Sequence, residues 1–268
     1  MGNPAGSRDI IFSHGFGCSQ EMWLPLIPYF EKEYRLILYD HVGAGKSDTS
    51  LHSYHRYASL HQYAYDLIEI CETMQLRSPI FIGHSVGATI GALASIHDRD
   101  LFSNLILIAA SPCYLNRGDY HGGFTSETIA GLVALLETNF RAWADVITPV
   151  IMQNEDRPEL EARLNESFCA TDPDIAKHFA KVTFLSDHRA DMKLVTSRTL
   201  LLQCMDDSIA PLSVGKYLSE EISNSVLVTL SAVGHCPHVS DAAQTAHAIH
   251  NYLLEISGAQ KNVRSVAH

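Results

Sequence analysis

The chain has 268 residues, 46% of them hydrophobic and 18% charged, which is enough to bury one large core or two modest ones. With 30 acidic against 19 basic residues and a formal net charge of −11, it offers no concentrated Lys/Arg surface, which argues against nucleic acid and anionic membranes as general partners. The N-terminus carries no basic-then-apolar secretory pattern and no apolar run reaches ~18 residues, so a soluble, cytoplasmic protein is expected.

Six short apolar runs recur along the chain: DIIFSH (9–14), RLILYD (35–40), PIFIGH (79–84), LILIAA (105–110), RTLLLQC (198–204) and VLVTLS (226–231). Runs of this length without polar alternation are what parallel strands covered on both faces require. Between them, LHQYAYDLIEICETMQL (60–76) sets Leu60, Ala64, Leu67, Cys71 and Met74 at spacings of three and four, giving a helix with one apolar face. Alternating strands and helices imply right-handed crossovers and a doubly wound, mostly parallel α/β sheet.

The rhythm breaks after Pro112. Up to about Val195 no strand-like run occurs, whereas 126–150, 157–168 and 172–187 read as helices, two of them with Pro just inside the start. The expected organisation is an α/β core over 1–115 and 191–268, interrupted by a helical insertion over 116–190. The polar, aperiodic stretch SGAQKNVRSVAH at the C-terminus is expected to fray.

Chemistry concentrates at Gly83-His84-Ser85-Val86-Gly87, a G-x-S-x-G pattern in which a strand turns abruptly into a helix and displays a serine at the apex. Glycine is needed on both sides because a Cβ there would meet the neighbouring strand or helix. A serine hydroxyl needs a base, and the base an orienting carboxylate, following in the order Ser, acid, His. Asp206 and Asp207 follow the fifth run and His235 follows the sixth, so both loops fall at strand C-termini. The glycine-rich SHGFG loop (13–17) supplies the Phe16 N–H, which with the Val86 N–H forms the expected oxyanion hole. His14, His84 and His238 read as structural.

Neither a HExxH nor a Cys/His zinc pattern is present, and the six cysteines form no CxxC pair, so no metal, no cofactor and buried, reduced thiols are expected.

Taken together, HGFGCSQEMW, LILYDHVGAGKSD, GHSVGATIG, ASPCYLN, GGF, FCATDPDIAKHFAK, SDHRADM, LLLQCMDDSIAP, VGKYL and GHCPH resemble the RsbQ-like α/β-hydrolases of the bacterial sigma-B energy-stress pathway. The plant strigolactone and karrikin receptors share that scaffold. The resemblance spans about residues 10–254 and implies Ser85 as nucleophile, His235 as base and Asp207, the second of the acidic pair, as orienting carboxylate. It also implies a four-helix, V-shaped cap over an apolar pocket lined by Phe16, Phe124, Trp143 and Phe184. Two functions follow from it: hydrolysis of a small apolar ester or lactone through an acyl-enzyme, and ligand-dependent recruitment of a signalling protein such as a PAS-domain phosphatase. A carbon–carbon bond hydrolase with the same triad stays open, whereas the serine argues against the dehalogenase and epoxide hydrolase types, which carry an aspartate there. Relatives begin with two further strands, so the N-terminal hairpin is expected to be missing and one sheet edge left more exposed.

Overall fold

The computed structural model describes residues 1–3, 6 and 8–266. Six strands, β1 (Asp9–Ser13), β2 (Arg35–Leu38), β3 (Ile80–His84), β4 (Asn104–Ile108), β5 (Thr199–Asp206) and β6 (Ser225–Val233), form one parallel sheet in the order β2-β1-β3-β4-β5-β6. All six apolar runs are therefore strands. Their lack of alternation has a physical cause: successive side chains point to opposite faces and both faces are covered. Ile11, Phe81, Leu105, Leu107 and Leu201 enter one core, whereas Ile10, Phe12, Ile80, Ile82, Ile106 and Leu202 enter the other.

The first face is covered by α1 (Leu60–Thr73) and α2 (Val86–His97), whose Leu67, Cys71, Ile90 and Leu93 join its core. After β4 come α3 (Ser126–Thr138), α4 (Phe140–Met152), α5 (Pro158–Ala170), α6 (Pro173–Phe184) and the short α7 (Arg189–Met192). Then α8 (Leu212–Glu221) adds Val214 and Leu218 to the first face, and α9 (Pro237–Ser240) precedes α10 (Ala242–Val266), which covers the second with Ala246, Ile249 and Leu253.

The segment 126–150, read from its spacing as a single helix, is two. Asn139 sits at φ −151°, ψ 87°, ends α3 and accepts the Ala142 N–H on its side chain to start α4. An asparagine side chain competes well for such amides, so the chain reverses there without a glycine. Pro158 and Pro173 do stand in the first turns of α5 and α6. Within the insertion α3 packs on α4 and α6, and α4 on α5.

Two chain ends depart from expectation. Before β1 there is no strand hairpin among the described residues, yet the β2 edge is not bare. Gly2 bridges Arg35 in antiparallel sense, Leu36 N–H donates to Met1 O at 2.9 Å and Asn3 N–H to Tyr34 O at 3.0 Å. At the other end, where fraying is expected from Ser257, α10 is assigned as Ala242–Val266. Residues 267 and 268 lie outside the described residues. No helix among those described is long and apolar enough to cross a membrane.

Candidate active site

Strand β3 ends at His84, and Ser85 follows at φ 56°, ψ −124°, a region few non-glycine residues adopt. The surroundings hold it there: Ser85 N–H donates to Ile108 O at 2.9 Å and its carbonyl accepts from Ala88 N–H at 3.0 Å. The flanking glycines are required by contact. A Cβ on Gly83 would lie 2.7 Å from Ala88 Cα, and one on Gly87 would meet the carbonyl oxygens of Ser13 and His14.

Ser85 Oγ lies 2.8 Å from His235 Nε2, and His235 Nδ1 lies 2.8 Å from Asp207 Oδ2. The three residues named from the sequence thus form one chain of contacts, and all are buried. The choice between the two acids is visible in the surroundings. Asp207 Oδ1 accepts the Ile209 and Ala210 N–H groups at 2.8 and 3.0 Å, and Oδ2 also accepts Gln203 Nε2 at 3.3 Å. Asp206 instead is exposed, on the far side of a register shift in the β5–β6 ladder between Cys204 and Asp206. Such a bulge re-aims the following side chain, here toward the imidazole.

His235 is pinned by its backbone. Its N–H donates to Ile151 O at 2.8 Å, and its carbonyl accepts His84 Nε2–H at 2.8 Å. Gly234, at φ +88°, has no room for a Cβ against the Met152 carbonyl. His84 packs between His235 and His238. Burial holds His84 and His238 below the ordinary imidazole pKa, His238 at about 3, so both are neutral spacers. His14 braces the glycine loop, with Nδ1–H on Gly15 O at 2.8 Å and Nε2 accepting His41 N–H at 3.1 Å.

Beside Ser85 is a small cavity of about 30 Å³, lined by Phe16, Tyr114, Ile147, Thr183, Phe184 and Ile209 among others. Phe124 and Trp143 do not reach it. They line a second, apolar cavity of about 10 Å³, with Ile147 and Phe184 common to both. Trp143 packs edge-on against Phe16 with ring centroids 5.8 Å apart, so the aromatic set is continuous although only two of its four members face the serine.

Sequence reasoning missed two polar members of this chamber. Tyr114 OH lies 3.1 Å from Ser85 Oγ, and burial pushes its phenol pKa up, keeping the proton on. Thr183 Oγ1 is buried without a hydrogen-bond partner among the described residues. Tyr114 stands in the ASPCYLN stretch, where the signal was available; nothing local distinguished Thr183 from other helical threonines. The cysteines are free: five are buried and Cys169 is half-buried, and burial pushes the Cys18 thiol up to about 12.

The insertion and the loops carrying Asp207 and His235 are also stitched together. Gln153, at φ 53° just past α4, donates from Nε2 to Asp206 Oδ1 at 3.3 Å and accepts Ser208 N–H on Oε1 at 3.1 Å. Asn154 Nδ2 donates to Val233 O at 3.1 Å, and Arg157 Nη1 to Ser240 O at 2.7 Å.

Residues 10–248 match the model of the alpha/beta hydrolase family. The chain belongs to that family. It is 36% identical to strigolactone esterase D14 of Arabidopsis thaliana over 249 residues, 92% of this chain and 93% of that one. To karrikin insensitive 2 receptor IA of Petunia hybrida it is 35% identical, covering 88% of this chain and 86% of the receptor. Among solved structures, the hydrolase olei00960 from Oleispira antarctica superposes with a TM-score of 0.92 at 38% identity, over 95% of this chain and 93% of that one.

Proposed function

We propose that this alpha/beta hydrolase is a serine esterase or lactonase that cleaves a small apolar carbonyl compound through an acyl-enzyme at Ser85. The observation that carries this reading is the unbroken pair of 2.8 Å contacts from Ser85 Oγ to His235 to Asp207. Ser85 Oγ attacks the carbonyl carbon while its proton passes to His235 Nε2. Asp207, acceptor-only on both oxygens, holds Nδ1–H and stabilises the imidazolium as it forms. The tetrahedral oxyanion falls to the Phe16 and Val86 amides; among the described residues neither donates in the turns around the elbow, where the Ser85, Ala88 and Cys18 N–H groups are consumed. The protonated His235 then gives its proton to the leaving alkoxide, and water hydrolyses the acyl-serine by the same route in reverse.

The chamber supports the substrate class. Its walls are Phe16, Ile147, Ile151, Leu164, Phe184 and Ile209, with the hydroxyls of Thr183 and Tyr114 as polar points. The unpartnered Thr183 hydroxyl is matched by a substrate carrying an oxygen beyond the scissile carbonyl, as a lactone ring with a second ester or ether does. At about 30 Å³ the chamber holds little more than water, so an ester enters only when Phe184 and its neighbours in the insertion shift. The test is a nitrophenyl ester assay paired with intact-protein mass spectrometry: an acyl adduct mapping to Ser85 supports the reading, and turnover with no serine adduct in rapid-quench samples removes it.

A second reading is favoured by the likeness to proteins named as receptors. Here slow or single turnover leaves the insertion in an altered arrangement that recruits a protein partner. That the partner is a PAS-domain phosphatase, as in the sigma-B pathway, rests on the motif resemblance alone. Glu159, exposed, and Glu161, half-buried, both in the first turn of α5, provide an acidic edge for such a contact. Pull-down of a PAS-domain phosphatase with and without ester, using wild type and a Glu159→Lys/Glu161→Lys variant, tests it; no capture under either condition leaves the plain hydrolase.

A further inference from the structure

Away from Ser85, three helices bring imidazoles to one point. His61 comes from the first turn of α1, His97 ends α2, His188 immediately precedes the short α7 and Asp191 lies within it. One potential ligand atom each from His61, His188 and Asp191 lies within 4.8 Å of the others. His188 Nδ1 is 2.9 Å from Asp191 Oδ2, and the His61 and His188 rings lie 5.4 Å apart, edge to face. His61 Nδ1 is 2.9 Å from His97 Nε2. His188 is buried, His61 and Asp191 are half-buried and His97 is exposed, so the cluster is walled on one side and open to solvent on the other.

We propose that His61, His188 and Asp191 bind one zinc ion, with His97 orienting His61 at the solvent-facing side. Two imidazoles and a carboxylate suit zinc, whereas calcium and magnesium want oxygen alone. A tetrahedral site with bonds near 2.0–2.2 Å needs ligand atoms roughly 3.3 Å apart. From 4.8 Å at most, side-chain rotation of the two half-buried residues achieves that closure. The hydrogen bond to His97 occupies one nitrogen of His61 and leaves the other for the ion, the outer contact that zinc-bound histidines usually make. The site lies outside the proposed catalytic machinery, and sequence spacing hides it: only His188 and Asp191 are close along the chain.

Its position indicates what the ion does. α7 is the first turn after α6, whose last residues, Thr183 and Phe184, line the chamber, while α1 and α2 belong to the sheet's covering layer. Zinc there fastens the returning end of the insertion to the core. The experiment uses the full chain stripped with chelator, titrated with zinc chloride by calorimetry and assayed for retained zinc after gel filtration. Expected are one zinc per chain and a thermal midpoint that rises with zinc. At least about tenfold weaker binding is expected in each of His61→Gln and Asp191→Asn, with no midpoint rise in the double variant. His121→Gln, at an exposed histidine elsewhere, should bind as wild type does. Ester turnover by the variants reports that they are folded; should buried His188→Asn fail to fold, the other two decide. Failure to retain zinc, or retention indifferent to both substitutions, overturns the proposal.

Discussion

The turn from β3 into α2 and the insertion from α3 to α6 meet over the same serine, but they are built to different standards. Ten of the twelve residues of α2 are buried, against two of the thirteen of α5, so the first is fixed on all sides and the second on one face only. An element packed all round can hold a residue at a strained backbone angle, as it does Ser85. A helix anchored by a few residues can shift as a unit at modest cost. On the proposed function the difference divides the labour: the sheet's loops would hold geometry in place for chemistry, and the insertion would decide what reaches it. Substitutions can break one side and leave the other standing.

The largest effect is expected on the rigid side. Ser85→Ala should abolish hydrolysis of a nitrophenyl ester while the melting curve stays within a few degrees of wild type, because one hydroxyl is removed from an otherwise intact elbow. Removing the nucleophile of such a unit typically costs about 10⁶ in kcat. Appreciable residual turnover, measured on protein free of other esterases, would transfer the nucleophile elsewhere.

Next comes the neighbouring acid pair. Asp207→Asn should lower kcat by about 10⁴, since an amide in that position favours the wrong imidazole tautomer. Asp206→Asn should fall less than about tenfold, its carboxylate being exposed and, among the described residues, bonded only to Gln153 on its side-chain oxygens. Steady-state rates for both variants check this, and equal losses would mean that the bulge does not separate them.

Trp143 lies on the adjustable side, fully buried against Phe16 and Phe168. Its replacement by Ala should cost about 3–5 kcal/mol of stability and join the two cavities into one that admits longer acyl chains. Denaturant melts with a chain-length series of esters separate the two effects. A variant as selective as wild type would mean that the second cavity plays no part in binding.

How much of this division was legible beforehand depends on the range of the signal. Strands and elbow were read directly, because burial on both faces leaves continuous apolar runs and a strained βα turn leaves fixed glycines. Ser85, the Asp206/Asp207 pair and His235 stood out because each sits just beyond such a run, and only the family resemblance singled out Asp207. Phe124 and Trp143, given by the resemblance as pocket residues, line the cavity next to the serine's, since an apolar residue reveals that it is buried but not against which cavity. The break at Asn139, the hydroxyls of Tyr114 and Thr183 and the contacts of Gln153 depend on partners distant in sequence or on side-chain competition for amides, neither of which has a period.

The buried imidazoles give a pH test of the rigid side. His238 is neutral in the native state with its pKa lowered to about 3, mainly by burial and then by His235, whereas unfolded it titrates near 6.5. Above pH 6.5 both states are neutral and His238 contributes no pH dependence. As pH falls through 6.5 toward 3 the unfolded state takes up a proton that the native state refuses, so stability is lost at about 1.4 kcal/mol per pH unit. Between pH 7 and 5, His238→Gln should therefore lose about 2 kcal/mol less than wild type in urea melts. An identical loss would mean that other groups set the acid limit.

The smallest effect is expected at the seam. Gln153 touches the Asp206–Ser208 loop with both ends of its amide, and Asn154 holds the Val233 carbonyl just before His235. Their side-chain bonds are neutral or exposed, so each contributes about 0.5–1.5 kcal/mol at most. If the insertion acts on the chemistry through this seam, Gln153→Ala should lower kcat several-fold with KM nearly unchanged, because the loop carrying the orienting acid loosens while the chamber walls stay. A seam that only adds stability would instead lower the melting midpoint and leave kcat alone. Measuring both on one variant decides whether the adjustable half can be felt by the rigid one, and rescue by Gln153→Glu is not expected, since a carboxylate there cannot donate to Asp206.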